Sequence, residues 1–229
     1  MHPTLPSAHP YVLPRIHATA IDPLSTPEPA PNPTPQPPSS GLLPSLTPSV
    51  VARLFPQTPI AHIEANLPHM LAALSSAGLT DTPMLLAALA TIRAESESFL
   101  PLTEQPCALN TSPGGRPFDL YDHRADLGNQ GPPDGARFCG RGFVQLTGRA
   151  NYTRYARLTG LDLVASPALA ALPAPAATLL ARFLADRAPA IRRALAAGDL
   201  AHARRLVNGG SNGLARFTDA YRIGVTLNA

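Results

Sequence analysis

The sequence predicts a mainly α-helical fold, and three observations carry that prediction. Of 229 residues 45% are apolar, but only 5% are aromatic and none is Trp, so Ala and Leu supply most of the apolar content. Those two residues favour helices over a β-sandwich. From Thr47 onward the apolar residues recur at three- and four-residue steps, the helical period. Gly and Asp-Thr-Pro stand where such helices should end and begin.

Residues 1–47 are read as a disordered, extended tail or linker, and 48–229 as one domain, long enough to bury a core without disulfide or metal staples. Sixteen of the 28 prolines lie at or before Pro59, and from Pro27 to Pro38 nearly every second residue is Pro. Such a segment lacks backbone donors and has little apolar surface to offset ordering. Val50, Val51 and Leu54, then Ile60, Ile63, Leu67, Met70, Leu71 and Leu74, read as helix closed by Gly78. Asp81-Thr82-Pro83 offers a cap and a first-turn proline for the next helix, about Pro83 to Ser98, with Leu85, Leu86, Leu89 and Ile92 on its buried side. Glu95 follows Ile92 by three, near that face at the helix's C-terminal end. Phe99 to Gly142 is rich in Gly, Pro, Asn and Asp, a loop long enough to suggest function. At most one short β-hairpin is expected, around Phe143 to Leu146. Helices follow over Arg149 to Leu158, about Ala174 to Leu195, Leu200 to Val207, and Leu214 to Leu227.

Charge and cysteine content exclude several classes. The 18 basic residues are all Arg and spread along the chain, and a net charge of +3 is too small to argue nucleic-acid binding. Cys107 and Cys139 make neither a disulfide framework nor a zinc-ligand spacing, and whether they pair is left open. Pro10, Pro14, Arg15 and His17 interrupt any signal-peptide core, and no run of about 18 apolar residues offers a membrane span. Synthesis in the cytoplasm with non-classical or phage-type release to a cell wall is the expectation. The seven histidines show no His-Glu-x-x-His cluster, so no metal and no cofactor are expected. A serine hydrolase would need a Gly-x-Ser-x-Gly elbow, which is missing.

Glu95 and Glu104 are candidates for paired acid and base work. Glycosidic hydrolysis needs one protonated carboxyl to donate to the leaving oxygen and one carboxylate to activate water. A half-buried glutamate at a helix end can have its proton affinity raised, while a loop glutamate stays solvated. Glu97, two residues further along the helix, points elsewhere and is read as a surface residue.

Beyond the two carboxylates stands Gly140-Arg141-Gly142-Phe143-Val144-Gln145-Leu146-Thr147-Gly148-Arg149-Ala150-Asn151-Tyr152, preceded by Asp126-Leu127-Gly128-Asn129 and Asp134-Gly135. It resembles the Gly-Arg-Gly-x-x-Gln-Leu-Thr-Gly-Arg-x-Asn-Tyr signature of family 19 glycoside hydrolases, the chitinases and bacteriophage-type endolysins of the lysozyme-like superfamily. Ala94-Glu95-Ser96-Glu97-Ser98-Phe99 is similar to that family's His-Glu-Ser-Gly-Gly-Phe. Val207-Asn208-Gly209-Gly210 with Asn212-Gly213-Leu214 is similar to its Ile-Asn-Gly-Gly-x-x-Gly-Leu. The matches occur in order over about residues 50–228.

The resemblance implies a two-lobed helical domain with a central cleft, cleaving β-1,4 bonds of N-acetylated amino-sugar polymers with inversion and no metal. Glu95 matches the general acid, Glu104 the general base, and Thr147 the hydroxyl that helps position water. Gln145, Asn151 and Asn208 match amides that bind sugar groups, and Tyr121 and Arg124 border the cleft. Arg141 is read instead as a structural clamp on a carboxylate. The family's His is Ala94 here, its Gly-Gly is Glu97-Ser98, and Gln105 replaces an Asn, departures that bear on substrate and rate. Without Trp, the stacking faces would fall to Tyr121, Phe118 or Tyr155. The implied partner is a polysaccharide, peptidoglycan ahead of chitin, met by a monomer. The alternative is a catalytically weak, chitinase-like glycan-binding protein.

Overall fold

A computed structural model describes residues 46–208, 210 and 212–227. The tail read over 1–47 therefore lies outside the described residues except for Leu46 and Thr47. Thr47 caps α1 (Pro48–Ala52), its Oγ1 accepting the Val50 N–H at 3.4 Å, and Pro48 sits where no helical donor is needed. α2 (Ile60–Ser76) buries Ile63, Leu67, Met70 and Leu74 along one side.

Asp81 caps α3 (Thr82–Ser96), accepting the Met84 N–H at 3.3 Å. Every residue from Met84 to Glu95 is buried, so α3 runs through the middle of the core, packed against helices on several sides. The long loop after it contains two 3₁₀ turns, Asp119–Tyr121 and Ala125–Leu127, and one turn of α-helix, α4 (Asp134–Arg137). These short turns are too brief for an apolar period, which is why the sequence reads as loop there. α5 (Arg149–Thr159) stops at Gly160, whose φ is +72°.

The helix expected over Ala174–Leu195 is two helices, α6 (Pro173–Ala185) and α7 (Ala188–Ala196). Pro189 explains the break: it lacks an N–H and its ring would crowd the carbonyl one turn back, so it is placed in the first turn of a new helix. α8 (Leu200–Asn208) and α9 (Leu214–Leu227) complete the order. α9 lies along α3, and a Cβ on Gly224 would come within 2.5 Å of Leu86 Cδ2, so any larger residue there would force the buried Leu86 side chain to shift.

The hairpin expected at Phe143–Leu146 is reduced to a tight turn flanked by the antiparallel bridges Thr103–Arg141 and Arg141–Leu146. The helices share one apolar core. A smaller cluster of Phe118, Tyr121, Leu127 and Cys139 gives the loop region its own core. Among the described residues no helix is long and apolar enough to cross a membrane.

Candidate active site

Glu95 sits one residue before the end of α3 and is 2% exposed. Its Oε1 accepts from Arg204 Nη2 of α8 at 2.6 Å, and both side chains are enclosed. The pairing is one-pronged: Glu95 Oε2 and Arg204 Nη1 are buried without a hydrogen-bond partner. Burial raises the proton affinity of Glu95 above the ordinary value of 4.5, and the charge and hydrogen bond of Arg204 offset this only in part. The chain then leaves the helix through Glu97, in a left-handed conformation with φ +47°. Thr58 Oγ1 donates to the Glu97 carbonyl, His62 Nδ1 lies 3.0 Å from the Ser98 carbonyl, and Glu97 itself pairs with Arg216. Glu97, read as a surface residue, is thus a partly exposed residue tied down by an ion pair and through its carbonyl.

Glu104 lies in the loop, half-buried, with three donors on its carboxylate. Asn110 Nδ2 at 3.0 Å and the Tyr121 hydroxyl at 2.8 Å reach Oε1, and the Gly140 N–H reaches Oε2 at 2.9 Å. Its own N–H donates to the Gly140 carbonyl, while Leu102 O accepts from Gly142 N–H and from Gln145 Nε2. The segment carrying the base is thereby stitched to the Gly-Arg-Gly turn. Gly140 is the point of convergence. A Cβ there would meet Gln145 Oε1 at 2.9 Å, Glu104 Oε2 at 3.1 Å and Thr147 Oγ1 at 3.2 Å, so glycine lets three candidate side chains gather at one place.

The other candidates fall around this point or away from it. Gln145 has φ +49° and spends its amide donors on Leu102 O and Gly142 O. Thr147 Oγ1 donates to Gln145 O at 2.8 Å, and Asn151 Nδ2 to Thr147 O at 2.8 Å. Arg124 forms a fork with Asp126 and lies 6.0 Å from the Tyr121 ring centroid. The side chain of Asn208, at the end of α8, is outside the described residues.

Two expectations are corrected. Tyr121, Phe118 and Tyr155 are all buried, at 3%, 7% and 3% exposure, so none of the three offers a sugar a stacking face. Among the described residues Arg141 clamps no carboxylate but the Arg137 and Cys139 carbonyls and the Tyr152 hydroxyl. The carboxylate clamp is made by Arg149, forked onto buried Asp134.

Among the described residues, the non-glycine positions with positive φ are Glu97, Phe99, Phe118 and Gln145. All four flank the candidate acid, the base or its partners. Such conformations cost about 1–3 kcal/mol each and cluster where a site is over-determined by its surroundings.

In three dimensions the chain is similar to chitinase C from Streptomyces griseus HUT6037, with a TM-score of 0.52 at 19% identity over 79% of this chain and 76% of that one. A crystal structure of a chitinase C mutant superposes with a TM-score of 0.53 at 18% identity, with the same coverage. No protein-family model and no curated protein matches the sequence. The fold is that of a family 19 chitinase.

Within this chitinase fold two residues escaped the sequence reading. Arg204 is fully buried on α8, on the same stripe as Leu200, Ala203 and Val207. An arginine on an apolar stripe needs a carboxylate nearby, and that was the available signal. Asn110, also fully buried, gave none, since a loop asparagine reads as turn chemistry in a single sequence.

Proposed function

We propose that this protein is an inverting glycoside hydrolase that cleaves β-1,4 bonds in polymers of N-acetylated amino sugars, with Glu95 as general acid and Glu104 as general base. The observation that carries the reading is the contrast between the two carboxyls. Glu95 is enclosed and its proton affinity is raised, as a proton donor at the leaving oxygen requires. Glu104 is half-exposed, and three donors fix its orientation beside Thr147. The likeness to a chitinase supports the same class.

In this reading Arg204 occupies Oε1 of Glu95, which leaves Oε2 to carry the proton. Because Oε2 is enclosed, a bound glycan must displace its cover before the proton can pass, a closing-and-opening step common in hydrolases. Glu104 takes a proton from water held near Thr147 Oγ1, and the water attacks the anomeric carbon from the face opposite the leaving sugar. Gln145, Asn151, Asn208 and Arg124 are proposed to line the glycan path. Enclosure of Glu95 is also what a glycan-binding protein with weak catalysis would show, and activity separates the two readings.

Peptidoglycan is proposed ahead of chitin. Outside residues 1–47 the chain has 17 basic and 13 acidic residues, net +4, which favours an anionic wall over neutral chitin. Burial of Tyr121, Phe118 and Tyr155 takes away the three aromatic faces that could have gripped the flat faces of crystalline chitin. The test measures reducing-end release from purified peptidoglycan and from N-acetylglucosamine oligomers at equal sugar concentration, for wild type, Glu95→Gln and Glu104→Gln. Faster cleavage of peptidoglycan is expected, with each variant losing about a hundred- to ten-thousandfold. Activity above about a tenth of wild type in a folded Glu104→Gln would refute its role as base.

A further inference from the structure

We infer that Asn110, with Tyr121 beside it, is a positioning residue that assigns the working oxygen of the base; this rests on the reading of Glu104 as that base. A carboxylate offers two lone pairs on each oxygen. Oε1 of Glu104 accepts from both Asn110 Nδ2 and the Tyr121 hydroxyl, so its lone pairs are taken. Oε2 accepts from the Gly140 N–H, which leaves a lone pair on the oxygen nearest the space shared with Thr147 Oγ1. Oε2 is therefore the atom that takes the proton from water.

Asn110 is built for one orientation. Its Oδ1 accepts from the Cys107 N–H at 2.8 Å and from Thr111 Oγ1 at 2.8 Å, and its Nδ2 donates to Glu104 Oε1 and Gln105 O at 3.0 Å each. A flipped amide would set carbonyl against carboxylate and amine against N–H, so the donor can only face the base. Tyr121 is fixed by burial in the small cluster under the loop. The other groups near Glu104 are Cys139 and Tyr152, whose thiol and phenol are pushed up by burial, and the Arg141 cation bonded to Tyr152. Glu95, which must hold its proton to act, sets the limb on which activity falls as pH rises, so the base is read from the opposite limb, on which activity rises with pH.

Asn110→Asp keeps both bonds that Oδ1 accepts and turns the Nδ2 donor, shared between Glu104 Oε1 and Gln105 O, into an acceptor, so the two carboxyls must share a proton. Tyr121→Phe removes one donor from the same oxygen and keeps the ring. Glycan cleavage by the full chain is measured against pH for both variants and for Glu104→Gln, on purified peptidoglycan and on the N-acetylglucosamine hexamer, with melting curves alongside. For Asn110→Asp the acid limb of kcat should move up by about one pH unit or more. For Tyr121→Phe kcat should fall about tenfold with KM within about twofold. Limbs and kcat that match wild type in both variants, with Glu104→Gln inactive, would overturn the inference while sparing the base. An active Glu104→Gln would instead overturn the reading beneath it. Should Asn110→Asp fail to fold, Tyr121→Phe decides alone, because it bonds the same oxygen.

Discussion

Glu95 and Arg204 bind each other, but substitution at Glu95 has two different outcomes. Glutamine keeps an oxygen to accept the Arg204 hydrogen bond, whereas leucine leaves a buried guanidinium that cannot lose its proton. Glu95→Leu should therefore cost about 3–5 kcal/mol in urea unfolding, and Glu95→Gln far less. Equal costs would show that the pair is not felt by the folded state. The pH dependence follows from the raised proton affinity. The folded state holds the Glu95 proton more tightly than the unfolded chain, whose value is near 4.5, so this group's contribution is full below 4.5 and is lost as pH rises through the folded value. Melting of wild type should lose ground to Glu95→Gln as pH is raised from 4.5 toward neutral, and a constant gap would contradict the assigned direction. At this scale the sequence marked Thr147 by its motif and Glu104 by its spacing from Phe99 as candidates, and the fold brings both side chains to Gly140, while their roles stand as proposals. It was not legible for Arg204 and Asn110, whose roles exist only through partners 109 and 6 residues away.

The elements that carry the site differ in how openly the sequence declares them. α3 was visible because its cap, first-turn proline and apolar residues all agree. The turns inside 99–142 were not, since they are held by side-chain bonds and backbone stitches, such as Asn129 Oδ1 accepting from the Arg149 N–H, that have no period. The α6–α7 break was overlooked although Pro189 marked it, because alanine and leucine continue the helical texture across it. The Gly-Arg-Gly turn is the element on which the base depends, and Gly140→Ala tests it. The added methyl must push aside Gln145, Glu104 or Thr147. Stability should fall by about 1–3 kcal/mol, as for other overpacked sites. Turnover should fall about a hundredfold, because displacement of a reacting group by about 1 Å has that effect. Turnover within about twofold of wild type would show that Gly140 does not gather the site.

For the whole molecule, the helical class and the lysozyme-like arrangement were readable from texture and motif, and the likeness to chitinase C agrees with both. The division at residue 47 remains a proposal, sharpened by two facts: Leu46 is buried and Thr47 caps α1. Removing residues 1–45 spares both, and should leave melting temperature and turnover on soluble oligomers unchanged, since a proline-rich tail offers few buried contacts. A large fall in melting temperature would show that the tail packs on the domain. The account as a whole stands on a single displacement at the anomeric carbon between Glu95 and Glu104. Proton NMR of the sugar released in the first minutes of cleavage reads that step directly. The α-anomer should form first from the β-linked polymer; first formation of the β-anomer would contradict the mechanism, and no release from either polymer would contradict the enzyme.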